Sequence, residues 1–234
     1  MRKKLTVILL LLIPNFVTAK ECVALLHGLA RTTSSMQKMA NEFEKQGYEV
    51  ANISYPSRKY EVKELTNIAM DKVLSQCTDA EKIHFVTHSL GGILVRHYLA
   101  NNTMNNLGRV VMLAPPNQGS EIVDDYRSIP GVTSFNGPAF SQLGTDDESI
   151  PLNLGKVNFE LGVIAGTRTI NLILSQSLRN PDDGKVSVEK TKVEGMTDFL
   201  VVAASHTFIM KKEDVIQQAI HFIQLGKFKH EEKE

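Results

Sequence analysis

Three stretches of this chain, residues 109–114, 158–165 and 198–203, are apolar nearly throughout. Short runs of that kind are strands buried on both faces, and such strands belong to parallel sheets covered by helices on each side. Residues 22–26, 48–54 and 83–87 read as further strands. Between them lie segments with helical spacing. Residues 34–46 carry Met36, Met39, Ala40 and Phe43 on one face and stop at Gly47; residues 60–76 carry Val62, Leu65, Ile68, Ala69 and Val73. Residues 91–101 (Ile93, Leu94, His97, Tyr98) and 213–225 (Val215, Ile216, Ala219, Ile220, Ile223) repeat the pattern. Strands alternating with helices set the class: α/β, with a mostly parallel central sheet of about six strands and helices on both faces. The rhythm fails near 115–157, which is rich in Pro, Gly, Ser and Asp up to Pro151. An insertion of that length is either a lid or binding loop, or a surface excursion with short helices.

The N-terminus reads differently. Arg2, Lys3 and Lys4 precede the apolar run 5–13, and Val17-Thr18-Ala19 supplies small residues at a cleavage site. This is the pattern of a secretory signal peptide over 1–19, leaving 20–234 as one domain. The run is too short to span a bilayer, which needs about 20 apolar residues. The whole chain has 26 basic and 26 acidic residues; losing Arg2, Lys3 and Lys4 leaves 23 against 26. A balanced-to-acidic chain of 42% hydrophobic residues can bury a core and has no electrostatic reason to bind nucleic acid. The expectation is an exported, periplasmic or secreted monomer without stable membrane insertion. In an oxidising compartment the even pair Cys22 and Cys77 suggests one disulfide, the alternative being two buried thiols.

In a parallel sheet, sites form beyond the carboxyl ends of strands. Strand 83–87 runs into His88-Ser89-Leu90-Gly91-Gly92 and then a helix. A serine on a tight strand-to-helix turn, flanked by small residues, is a nucleophile elbow, although Thr87 stands where glycine is usual. Of seven histidines, His206 alone lies just past a late strand and is the candidate base. The acid is sought between the two, in Asn180-Pro181-Asp182-Asp183-Gly184-Lys185-Val186, with Asp183 chosen and Asp182 as substitute. The backbone amides of Leu90 and, in His27-Gly28-Leu29-Ala30-Arg31, of Leu29 are the candidate oxyanion donors. His27 is assigned to holding that loop. His88, Ile122 and Phe140 are expected to touch substrate, with Val123, Phe135 and Leu143 and the segment 170–178 (Ile170, Leu172, Ile173, Leu174) as further apolar wall or as packing of the insertion.

These motifs, with Ala114-Pro115-Pro116-Asn117-Gln118-Gly119-Ser120 after the fourth strand, resemble those of the α/β-hydrolase superfamily and its exported lipases and esterases. They are also similar to lipases of the kind that deacylate glycosylphosphatidylinositol. Asn117 stands where that segment often has histidine. The resemblance covers nearly all of the chain after residue 21. It implies a Ser89–Asp183–His206 triad, no cofactor or metal, and a small-molecule or lipid ester as substrate. It also implies that Cys22 and Cys77 sit near one end of adjacent strands. The function expected is hydrolysis of carboxylic, acyl-type esters through an acyl-enzyme on Ser89. An acyltransferase using the same intermediate, or a non-catalytic binding module on this scaffold, are the alternatives.

Overall fold

The apolar runs pair as strands β1 (Glu21–Leu26), β2 (Glu49–Ile53), β3 (Lys82–His88), β4 (Leu107–Leu113), β5 (Leu161–Gly166) and β6 (Asp198–Val202). They form one sheet in the order β2-β1-β3-β4-β5-β6, and every pairing is parallel. This architecture comes from a computed structural model that describes residues 20–170 and 175–230. The leader expected over 1–19, and Leu172, Ile173 and Leu174, lie outside the described residues. Four α-helices alternate with the strands or close the chain: α1 (Gln37–Lys45), α2 (Val62–Gln76), α3 (Leu90–Asn101) and, at the end, after the single-turn α8 (Val188–Thr191), α9 (Glu213–Leu225).

Strand side chains alternate between faces, and each face buries its set against a different helix pair. Cys22, Ala24, Leu26, Phe85, Val110 and Met112 join Leu65, Ala69 and Val73 of α2 and Ile93 and Leu94 of α3. Val23, Leu25, Val86, Val111 and Leu113 meet Met39 and Phe43 of α1 and Val215, Ala219 and Ile223 of α9. Each large side chain removed from water this completely contributes about 1.5–3 kcal/mol. The helical spacings were therefore core stripes, and the sheet is the α/β-hydrolase minimal core.

One expectation needs correction. The run 198–203 does not form a strand buried on both faces: β6 is an edge strand, half-buried, with Val201 46% exposed. Apolar composition records what one face buries, not whether a neighbour pairs on the far side. Cys22 and Cys77 form the expected disulfide, with Cα atoms 5.8 Å apart; Cys77 caps the end of α2, just ahead of β3. The bridge ties the start of β1 to the helix that leads into β3. Of the two readings of the insertion, the one with short helices is met: α4 (Glu121–Tyr126), α5 (Val132–Asn136), α6 (Pro138–Ser141) and α7 (Ile150–Asn153). Asp124 accepts hydrogen bonds from the Thr145 amide (3.0 Å) and hydroxyl (2.6 Å), and Arg127 pairs with Asp146. Val123, Ala139, Phe140 and Leu143 pack it onto the core. Among the described residues no helix is long and apolar enough to cross a membrane.

Candidate active site

The chain passes from β1 to β2 on one side and then places β3 on the other side of β1. Strand order reverses there, which opens a crevice beyond the carboxyl ends of β1 and β3. Into it points the turn between β3 and α3, a single residue, Ser89, at φ 51° and ψ −120°. Few non-glycine residues hold a positive φ, and such strain persists only where the surroundings impose it. Here the Ser89 amide donates to the Leu113 carbonyl (2.9 Å), and the Gly92 amide returns to the Ser89 carbonyl (2.9 Å). A β-carbon at Gly91 would stand 2.6 Å from the Leu26 carbonyl oxygen, so the turn admits only glycine. One at Gly92 would lie 3.2 Å from Thr87 Oγ1 and 3.1 Å from Met112 Sδ. The missing side chain at 92 thus makes room for the threonine that departs from the usual motif.

Two loops meet Ser89. His206 follows β6, and its amide donates to the Asp183 carbonyl (3.0 Å). Its Nδ1 lies 2.8 Å from Asp183 Oδ2 and its Nε2 lies 3.0 Å from Ser89 Oγ. A carboxylate only accepts, so Nδ1–H is the donor and Nε2 is left to accept from the hydroxyl. Asp183 Oδ1 accepts from the amides of Lys185 (3.0 Å) and Val186 (2.9 Å) and cannot swing away. Of the two adjacent acids, Asp183 therefore faces the ring. Asp182 is turned elsewhere, accepting from the Gly184 amide and Ser175 hydroxyl, 2.7 Å each.

The amides of Leu29 and Leu90 flank the same crevice, and among the described residues neither donates a hydrogen bond. The loop carrying Leu29 is pinned by Tyr55, whose hydroxyl donates to the His27 carbonyl and whose ring stacks on His27 at 4.1 Å. Burial raises the Tyr55 pKa, keeping it a donor, and lowers that of His27. His88 lines the cavity, yet its ring also serves the scaffold: Nε2–H donates to the His206 carbonyl (3.0 Å). Burial first, then the neighbouring His206 and Arg31, hold the His88 pKa well below the usual histidine range, so it is neutral. Its Nδ1 is buried without a partner.

A cavity of about 230 Å³ adjoins Ser89 and His206. Ile122, Val123, Phe140 and Leu143 line it and are all at least nine-tenths buried, so they form its interior. Phe135 does not contribute; it is 68% exposed, with the Arg58 guanidinium over its ring at 5.3 Å. Ile170, 63% exposed, is no wall either. Two lining residues were not foreseen from the sequence: Arg31, half-buried, and Lys185, exposed. Both lie inside motifs already singled out for their neighbours, and that adjacency was the only clue in the sequence. A third unforeseen residue, the buried Arg96, donates to the Asn117 carbonyl (2.9 Å), Asn117 Oδ1 (3.1 Å) and the Gly155 carbonyl (2.7 Å). It clamps the segment after β4 onto α3.

The fold is that of the α/β-hydrolases, of the lipase- and esterase-like kind. The sequence model of one family, described as palmitoyl protein thioesterase, matches residues 22–153, and the chain belongs to that family. The match takes in Ser89 and stops before Asp183 and His206. No curated protein matches the chain. Among solved structures, the mature form of the lipase BlEst2 from Bacillus licheniformis is similar, at 18% identity over 89% of this chain and 93% of that one, with a TM-score of 0.69. The phospholipase PlaB from Legionella pneumophila is similar at 20% identity over 86% of this chain and 57% of that one (TM-score 0.68). A metagenomic carboxyl esterase, MGS0156, is similar at 18% identity over 81% of this chain and 65% of that one (TM-score 0.61). At these identities they share the fold.

Proposed function

We propose that the protein hydrolyses acyl esters or thioesters through a covalent acyl-enzyme on Ser89. The observation that carries this reading is the continuous hydrogen-bonded line from Asp183 through His206 to Ser89 Oγ, at 2.8 and 3.0 Å. His206 Nε2 takes the hydroxyl proton as Oγ attacks the acyl carbonyl carbon. Asp183 stabilises the imidazolium and fixes its tautomer. The carbonyl oxygen becomes an oxyanion and accepts from the unengaged amides of Leu29 and Leu90. Collapse breaks the bond to the leaving oxygen or sulfur, which receives the proton from His206. Water then repeats the sequence on the acyl-enzyme, releasing a carboxylic acid and restoring Ser89. The family description favours a fatty acyl group on sulfur, and the apolar cavity interior suits a fatty acyl chain on either atom.

Export is part of the same proposal: residues 1–19 are removed and 20–234 work outside the cytoplasm. The Cys22–Cys77 bond supports it, since disulfides persist in oxidising compartments. N-terminal sequencing of protein from the exported fraction should begin at Lys20. For the chemistry, a fluorophosphonate should label the wild type on Ser89 and leave Ser89→Ala unlabelled, and Ser89→Ala should lose p-nitrophenyl ester hydrolysis. Labelling elsewhere with undiminished hydrolysis in the variant would remove Ser89 from the mechanism. Added alcohol that captures the acyl group in place of water would recast the protein as a transferase.

A further inference from the structure

Two cations, Arg31 and Lys185, line the cavity beside Ser89. Among the described residues, neither Arg31 nor Lys185 forms an ion pair. The cavity lining holds no carboxylate at all. The carboxylate that most concerns Lys185, Asp183, is committed to His206 and two backbone amides. Surrounding packing first and then the Arg31 charge lower the Lys185 pKa, Asp183 works against them, and the residue stays exposed. Two like charges held together are unfavourable unless something anionic sits with them. A second depression of about 530 Å³ shares Arg31 and adds Arg58 and Lys59, again with no carboxylate in its lining. In a chain whose charges balance at 26 and 26, this is a local excess of cations beside the reacting serine.

The geometry points to a substrate whose leaving group carries phosphate, seated between Arg31 and Lys185 while the acyl chain fills the apolar interior. Ile122, Val123, Phe140 and Leu143 suit the acyl chain, and Arg31 and Lys185 are the charged side chains the lining offers an anion. A guanidinium presents a planar fork to phosphate oxygens and the ammonium adds a point charge. Arg31 and Lys185 are then specificity residues, and the inference rests on the hydrolase reading above.

Matched pairs that differ in the anion test it. One pair is 1-octanoylglycerol 3-phosphate against 1-monooctanoylglycerol. The other is octanoyl-coenzyme A against the octanoyl thioester of N-acetylcysteamine. In at least one pair the phosphate-bearing member should have a kcat/KM about tenfold or more higher at low salt. That ratio should shrink as salt rises, because Lys185 is exposed and Arg31 half-buried. It should approach one in Arg31→Gln and Lys185→Gln. Preference in the glycerol pair assigns the phosphate to a lipid headgroup; preference in the thioester pair assigns it to a nucleotide carrier. Ratios near one in both pairs, or ratios indifferent to salt and to both substitutions, overturn the inference while Ser89-dependent turnover keeps the hydrolase reading. Should no substrate turn over, that reading fails, and calorimetry on Ser89→Ala decides the site alone. Octyl phosphate binding tenfold tighter than octanol, with the difference lost on adding Arg31→Gln, supports it; equal binding sinks it.

Discussion

Acyl-chain length is the perturbation for which the cavity sets both a slope and an end point. Its interior is formed by Ile122, Val123, Phe140 and Leu143, and its volume is about 230 Å³. A water molecule takes about 30 Å³ of the liquid, and a methylene takes roughly as much, so the cavity holds roughly seven or eight chain carbons. Each methylene moved out of water is worth about 0.8 kcal/mol, close to a fourfold gain in kcat/KM. From acetyl to octanoyl the six added methylenes should raise it by roughly three and a half orders of magnitude at most, less whatever fraction of each group stays wet. Beyond octanoyl the curve should flatten, because about half of a palmitoyl chain finds no room inside. Val123→Phe, which adds bulk to the wall, should move the break roughly two carbons shorter. The assay is a p-nitrophenyl ester series run below the critical micelle concentration of each ester. An undiminished fourfold slope carried through palmitoyl would refute the reasoning, as would an identical break point in Val123→Phe.

Other consequences are sharper in sign than in size. Asp183→Asn leaves the imidazole in the wrong tautomer and should lower kcat by about 10⁴-fold; Asp182→Asn, which keeps an acceptor for the Gly184 amide, should stay within tenfold by the same ester assay. Reducing the disulfide frees a loop with a sequence separation of 55 residues, so unfolding in urea with and without reductant should differ by at most about 4 kcal/mol on loop entropy. Arg96→Met strands the Asn117 and Gly155 carbonyls and should cost about 3 kcal/mol in the same measurement, with the active-site serine still reactive. His27 and His88 are buried, and burial lowers the pKa of each, so the folded state binds their protons less readily than the unfolded chain. Their contribution is present above the unfolded value near 6.5 and is lost as pH falls through it. Unfolding free energy should drop by up to about 1.4 kcal/mol per pH unit for each ring between pH 6.5 and 5, and stability that rises on acidification would contradict the assignment.

What was legible in the sequence follows a physical divide. Strands β1, β3, β4 and β5 and the stripes of α1, α2, α3 and α9 could be read because burial imposes a period on composition. The edge position of β6 could not, since pairing partners leave no mark on Phe199, Leu200 and Val201 themselves. Ser89 and His206 were findable because a parallel sheet gathers its strand ends on one rim, and Asp183 because the acid must arrive between them in chain order. The place before Gly184 on the turn favours Asp183 over Asp182, and the backbone turns Asp183 toward His206 and Asp182 toward Ser175 and the Gly184 amide. The cationic pair was hidden for a different reason. Arg31 and Lys185 lie on separate loops far apart in the chain, and a lone basic residue in a loop reads as solvent-facing. Their meaning arises only when the β1 loop and the acid loop meet at one cavity. Core positions are dictated by what each residue avoids, and can be read one at a time; specificity depends on which distant residues become neighbours. The substrate's leaving group is therefore the feature of this protein for which the three-dimensional arrangement, rather than any motif, carries the argument.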